Sequence, residues 1–251
     1  MNGIYFSGTG NTRHCVALFA SASGNGRAVS IENPEACTLL HDSAEFVLGY
    51  PVYFSNIPSI VVHFLQDNAE SLKGKRVFII ATMGLFSGDG AGCGARLLRK
   101  YGASVTGGLH LVMPDCIGDV KLLKHSTDEN KKTIKQAEQK IRNAAVSIQN
   151  GTYPQEGLHF YNHVAGLFGQ RLWYLAKAKA LTKKLSIDST ACAGCGLCVN
   201  RCPMKAIIMK DHKAFFTGTC TLCYRCINSC PQKAITLIGK KVYEQCLFEK
   251  Y

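Results

Sequence analysis

Over residues 1–150, short runs of Val, Ile, Leu and Phe alternate with longer amphipathic stretches. The short runs at 3–7, 27–31, 45–52, 76–82 and 104–112 are bounded by turn-forming residues and lack strict apolar–polar alternation. That pattern predicts five strands covered on both faces. Between them, apolar residues return at helical spacing at about 12–22, 34–40, 58–69 and 91–101, and a fifth helix is predicted from 127 to about 150. The last has the clearest start. Ser126 and Glu129 have the spacing of a capping box, and Ile134, Ala137, Ile141 and Ile148 share one face above a Lys- and Gln-rich surface. Strands alternating with helices in this way predict an α/β unit, a five-stranded doubly wound parallel sheet, over residues 1–150.

Gly151-Thr152-Tyr153-Pro154 closes that unit. Residues 151–185 read as a basic, aromatic-rich connector containing Phe160, Tyr161, Leu167, Phe168, Trp173 and Tyr174. Beyond it the cysteine density jumps, and an internal repeat appears with an offset of 28 residues. Cys192–Ile207 and Cys220–Ile235 both read C-x-x-C-x-x-C-x-N-x-C-P-x-K-A-I, so that Asn200 matches Asn228 and Lys205 matches Lys233. Residues 186–240 are therefore expected to form a small second domain, followed by a tail at 241–251.

Composition sharpens the reading. With 251 residues, 47% hydrophobic and 18% charged, the chain is long enough for one ordinary domain and a small second one, which excludes disordered and collagen-like classes. No apolar run of 18 residues is present, so no membrane span is expected. The opening Met1-Asn2-Gly3-Ile4-Tyr5-Phe6 runs straight into a strand pattern, which leads to a cytoplasmic expectation. Thirteen cysteines in such a setting point to metal or redox chemistry rather than to disulfides.

Three cysteines spaced by two residues let one tight loop wrap a cubane, with the fourth thiolate coming from elsewhere. A zinc ribbon needs only two C-x-x-C pairs and would leave the third cysteine of each run without use. Residues 186–238 resemble a bacterial two-cluster ferredoxin, in which the fourth cysteine of each run crosses to the other cluster. Carried over residue by residue, the resemblance implies one [4Fe-4S] cluster on Cys192, Cys195, Cys198 and Cys230, and a second on Cys220, Cys223, Cys226 and Cys202. Pro203 and Pro231 then turn the chain away after each crossing ligand.

Ser7-Gly8-Thr9-Gly10-Asn11-Thr12 follows the first predicted strand and opens the first helix, where free N–H groups and the helix dipole favour an anion. Gly3 and Gly8 have Walker A spacing, but Thr9-Gly10 stands where Lys-Ser/Thr is required. Gly8-x-Gly10 is followed by Arg13 instead of the third glycine of the dinucleotide fingerprint, although Glu32 lies about 20 residues on. The third reading is a neutral, hydroxyl-rich nest for a phosphate dianion. Here the loop resembles that of flavodoxins, T/S-x-T-G-x-T. The resemblance implies FMN, with Ser7, Thr9, Gly10, Asn11 and Thr12 on the phosphate. Pro51, Val52, Tyr53 and Phe54 after the third strand, and Thr82, Met83, Gly84, Leu85 and Phe86 after the fourth, would face the isoalloxazine, with Tyr53 stacked on it. Gly84 and Gly88-Asp89-Gly90-Ala91-Gly92 are read as a glycine-rich loop at the ring edge.

The full layout resembles flavodoxin–ferredoxin fusion proteins of anaerobes, also called EFR-family ferredoxins. It departs from that pattern at Met113-Pro114-Asp115-Cys116, where an Asn or aromatic residue is expected after the fifth strand. The fusion implies an electron-transfer protein that passes electrons between two [4Fe-4S] clusters and one FMN, serving a low-potential donor and an acceptor enzyme, with a homodimer open. A flavin-dependent reductase of a small molecule and a redox- or oxygen-sensing module are the competing classes. The formal charge of +12 counts the cysteines as neutral. Cofactor loading lowers it to about +6, and with no nucleic-acid motif present a polyanion partner is not expected.

Cys15, Cys37, Cys93, Cys116 and Cys246 fall outside the repeats and are expected to be small buried or half-buried hydrophobes, with Cys93 and Cys116 near the ring edge. The eight histidines show no ligand spacing, and no Ser/His/Asp or paired-carboxylate set is visible. Lys205 and Lys233 are expected in solvent. The basic stretch Arg171, Lys177, Lys179, Lys183 and Lys184, with Trp173, Tyr174 and Leu175, is expected to pack between the domains.

Overall fold

The computed structural model describes residues 1–85, 88–159 and 180–251. Five strands, β1 (Asn2–Tyr5), β2 (Ala28–Ser30), β3 (Glu45–Pro51), β4 (Arg76–Met83) and β5 (Ser104–Val112), form one parallel sheet in the order β2-β1-β3-β4-β5. That order defines the flavodoxin-like doubly wound sheet. The near-continuous apolar runs follow from burial on both faces. Phe46, Leu48 and Tyr50 of β3 and Ile79 and Ala81 of β4 point to one core, while Val47, Phe78 and Ile80 point to the other.

The first core is closed by α2 (Glu35–Asp42), α3 (Ser59–Asp67), α4 (Ala69–Leu72) and α5 (Gly90–Lys100), and the second by α1 (Asn11–Ala22) and α6 (Thr127–Gln149). The α6 start is the capping box expected from Ser126 and Glu129: the Ser126 Oγ accepts from Glu129 N, and Glu129 accepts from Ser126 N. The helix expected over 58–69 is interrupted at Asn68, whose side chain donates to Phe64 O at 2.9 Å, so that two helices replace one. The helix expected from about 91 starts at Gly90. Gly90, Ala91 and Gly92 form its buried first turn, the Tyr50 hydroxyl donates to Gly90 O at 2.8 Å, and a Cβ at Gly94 would collide with that hydroxyl.

Residues 153–158 stay with this unit, since Gln155 bridges to Gly108 and the Tyr153 hydroxyl donates to Glu45 Oε1 at 3.1 Å. The aromatic and basic residues singled out at 160–179 lie outside the described residues, whereas Lys183 and Lys184 are exposed.

The C-terminal unit is small and α+β. It consists of a two-stranded ribbon of β6 (Ser186–Ile187) and β9 (Ile235–Thr236), a hairpin of β7 (Ile207–Lys210) and β8 (Lys213–Phe216), and two one-turn helices, α7 (Leu197–Arg201) and α8 (Arg225–Ser229). Residues 241–251 return to the first unit, where Phe248 stacks on His14 of α1 with ring centroids 4.3 Å apart. No helix among the described residues is long and apolar enough to cross a membrane.

Candidate functional site

Parallel strands deliver their C-terminal ends to one edge of the sheet, and the loops there enclose a cavity of about 290 Å³. Ser7, Thr9, Asn11 and Thr12 line it from the β1–α1 loop, Pro51–Phe54 from the end of β3, and Thr82, Met83, Gly84 and Leu85 from the end of β4. Gly10 is left-handed (φ 104°), accepts no side chain into its space, and abuts Phe248 instead of the cavity. Phe86 lies outside the described residues.

The loop is tied down by its own polar atoms. Gly10 N donates to Ser7 Oγ at 3.1 Å, and the buried Thr12 and Thr82 hydroxyls are 2.7 Å apart. Asn11 Nδ2 donates to Pro114 O at 2.7 Å, while its Oδ1 is buried with no partner among the described residues. An orphan acceptor beside hydroxyls and a helix N-terminus fits a ligand with a phosphate and hydroxyl donors. Tyr53 and Asn56 exchange both backbone hydrogen bonds at 3.0 Å around Phe54 and Ser55, which have φ of 52° and 57°. Two consecutive left-handed non-glycine residues are a strained turn, held here at the cavity wall.

Two further walls complete the cavity. Met113, Pro114, Asp115 and Cys116 line it from the end of β5, the stretch that departs from the flavodoxin pattern, and of these only Cys116 is expected from sequence near the ring edge. Burial raises the Asp115 carboxyl, and Ile117 N donates to it at 2.7 Å. Cys116 is pushed well up by burial. The other wall comes from the C-terminal unit: Leu181, Leu222, Tyr224, Leu237 and Ile238. No local signal marks these, because they reach the cavity by the packing of one unit on the other. Of the remaining cysteines, Cys15 and Cys246 are buried as expected, but Cys37 is exposed. Cys93 stands outside the cavity lining, its thiol 3.6 Å from Ser55 O.

The two units meet along a polar seam. The buried Asp119 accepts from the Tyr224 hydroxyl at 3.1 Å and from the N–H groups of Leu237, Ile238 and Gly239 at 2.7, 2.9 and 3.0 Å. Asn228 donates to Cys116 O at 2.9 Å and accepts from Cys246 N at 2.6 Å, whereas its repeat counterpart Asn200 is exposed. Phe248 N donates to Thr9 O at 2.8 Å. Arg225 donates to Ser7 O and to both carboxylate oxygens of Glu32, each at 2.7 Å. Glu32 is thus engaged within the protein and is not free to hold a ribose.

The cysteines of the repeat surround two further cavities. One is lined by Cys192, Cys195, Cys198 and Cys230, the other by Cys202, Cys220, Cys223 and Cys226. Among the described residues no three His, Cys, Asp or Glu side chains converge on a single-ion position. Four thiols around a void fit a polynuclear core better than one tetrahedral zinc. The repeat is also repeated in geometry. Lys205 and Lys233 both have φ of 50°, and their N–H groups donate to Cys202 O and Cys230 O at 3.1 and 3.0 Å. That turn presents the next N–H, of Ala206 or Ala234, to the cysteine sulfur at 3.3 or 3.4 Å, while both lysine side chains stay in solvent.

The two sets differ in burial. Cys195 is exposed, and backbone N–H donors from Ala214 and Gly194 lower the Cys192 thiol. Cys223 and Cys226 are buried, and burial pushes Cys223 up to about 12. The buried set is the one that adjoins the large cavity, since Leu222 and Tyr224, on either side of Cys223, line it.

Residues 191–235 match the family model of the 4Fe-4S dicluster domain. With the flavodoxin-like sheet before it, the layout fits a flavodoxin–ferredoxin fusion. Among solved structures, the chain is similar to a flavodoxin from the domain Archaea (14% identity over 59% of this chain and 99% of that chain, TM-score 0.42). It is also similar to two-electron reduced Megasphaera elsdenii flavodoxin (23%, 57% and 100%, TM-score 0.41) and to oxidised flavodoxin 2 from Bacillus cereus (17%, 59% and 97%, TM-score 0.43). No curated protein matches the chain.

Proposed function

We propose that the protein carries electrons between two [4Fe-4S] clusters and a bound FMN within one chain. The observation that carries this reading is the shared wall: residues flanking Cys223 line the same cavity as the Ser7–Thr12 loop. When bound, the clusters take one electron each and FMN two, so that together they join one-electron to two-electron chemistry.

In this reading Cys192, Cys195, Cys198 and Cys230 hold the outer cluster and Cys202, Cys220, Cys223 and Cys226 the inner one. Ser7, Thr9 and Thr12 would offer hydroxyls to the phosphate at the α1 N-terminus, with Gly10 shaping the turn, and the unpartnered Asn11 Oδ1 would accept from a hydroxyl of the cofactor. Pro51, Val52, Tyr53 and Phe54, with Thr82, Met83, Gly84 and Leu85, would hold the ring. The C-terminal unit excludes water from the side toward the inner cluster. The outer set, with Cys195 exposed, is the entry point, and the inner set, with Cys223 and Cys226 buried, is the relay.

Anaerobic purification followed by iron, sulfide and flavin analysis during stepwise reduction tests this. About eight irons, eight sulfides and one FMN, with flavin bleaching through the clusters, are expected. A protein with the iron but no flavin at saturating FMN would overturn the reading.

A further inference from the structure

Beside the loop that carries the exposed Cys195 lies a surface that the electron-transfer reading does not use. In the β7–β8 hairpin, Ile208 and Phe215 are directly paired across the strands and remain 45% and 44% exposed. Two steps along, Lys210 pairs with Lys213, and period-2 geometry puts that pair on the same face. Lys213 reaches back to donate to Cys192 O at 2.7 Å, and the His212 carbonyl sits against Gly194, so this hairpin abuts the loop that carries Cys192 and the exposed Cys195.

Basic side chains outnumber acidic ones in this unit. Residues 186–235 contain six Lys and Arg against two Asp and no Glu. Of the six, Arg225 is neutralised by Glu32, whereas Arg201, Lys205, Lys210 and Lys233 are exposed. Asp188, which accepts from Thr190 and Ala191, and Asp211, in the turn between Lys210 and Lys213, are both exposed and offset only part of this charge.

Resting on the proposed electron-transfer function, we infer that this lysine-rimmed apolar face docks an acidic electron-carrier protein that presents a small apolar patch ringed by carboxylates. An apolar centre within a charged rim is the anatomy of a transient interface, and complementary charge raises the encounter rate while the small contact keeps release fast. The same charge opposes pairing of two copies through this face, since basic rims would meet.

The test uses the cofactor-loaded protein and, as probe, a small acidic two-cluster ferredoxin reduced before anaerobic stopped-flow mixing. The second-order rate is expected to fall about tenfold between low and physiological salt. Lys210→Glu and Lys233→Glu should each slow it several-fold at low salt, and Ile208→Ser or Phe215→Ser should slow it at all salt concentrations. Lys131→Glu on the distant α6 should leave it unchanged. Every variant should keep its iron and flavin content and be reduced fully by dithionite, which shows that it folds and that the internal circuit works. A salt-independent rate, or a Lys131→Glu effect equal to that of Lys210→Glu, overturns the proposal. So does self-association broken by Ile208→Ser, or capture of the face by anionic phosphatidylserine vesicles. Wild-type protein whose flavin dithionite cannot reduce through the clusters would instead refute the electron-transfer reading on which the inference rests.

Discussion

Arg225 and Glu32 form a two-pronged ion pair across the seam, with each Nη donating to one carboxylate oxygen at 2.7 Å. The same guanidinium donates to Ser7 O and lies over the Phe6 ring. Because Arg225 immediately precedes Cys226, the pair ties the turn of the inner cysteine set to the proposed phosphate loop. Arg225→Ala is expected to cost about 1–3 kcal/mol of docking and to weaken FMN binding about tenfold or more. Arg225→Lys keeps the charge but not the fork and should recover only part of this. Fluorescence titration with FMN, alongside the cluster absorbance, checks both.

Gly8 tests the same contact sterically. A Cβ at this position would collide with the Cys223 carbonyl, which is backbone and has no flexible end to yield. Gly8→Ala is expected to force the two loops apart at a cost of about 1–3 kcal/mol. Its signature is joint loss of FMN affinity and of inner-cluster stability to iron chelation, with the outer cluster unchanged. Loss of flavin alone would show that the two loops are mechanically independent.

Which parts were legible in the sequence follows the range of the interactions. Ser126 and Glu129 announce α6 because a capping box is complete within four residues, and Ser7–Thr12 announces the turn into α1 at the cavity because turn and helix start are local. The cysteine repeat is legible for the same reason. Glu32 was weighed as a ribose contact because its partner, Arg225, stands 193 residues away. Gly94 shows the same limit: a Cβ there would meet the Tyr50 hydroxyl, which comes from β3, and no local pattern marks that contact. The left-handed Phe54–Ser55 turn breaks local propensity outright, and only the packing of both units around it holds it.

The crossed assignment of the cysteines has its own signature. If Cys202 serves the set of Cys220, Cys223 and Cys226, then Cys202→Ala and Cys226→Ala should damage the same electron paramagnetic resonance signal and spare the other. Cys230→Ala should do the reverse, with each variant losing iron from about eight toward about four per chain. Equal damage from Cys202→Ala and Cys198→Ala to one signal would contradict the crossing.

His110 sets an acid limit to stability. Burial lowers its pKa to about 4, with Glu156 partly opposing the shift. In the unfolded chain an ordinary histidine near 6.5 binds the proton first. The contribution is therefore complete above about pH 6.5 and is lost as the pH falls from there through 4. Denaturation midpoints measured between pH 7 and 4 should decline, and His110→Gln should flatten the decline in that window while lowering the midpoint at pH 7.

Asp119 separates charge from hydrogen-bond count at the seam. One of its oxygens accepts three backbone N–H groups and the other the Tyr224 hydroxyl. Asn keeps one oxygen for the three N–H groups and turns its NH₂ toward the tyrosine, which can accept, so only the charge assistance is lost, at about 1 kcal/mol. Ala strands three N–H groups in a buried seam, each costing about 1 kcal/mol or more. Asp119→Ala should therefore split thermal unfolding into two transitions, one for each unit, while Asp119→Asn keeps a single, slightly lowered one. Calorimetry of the cofactor-loaded protein distinguishes them, and equal behaviour of the two variants would show that the seam does not couple the units.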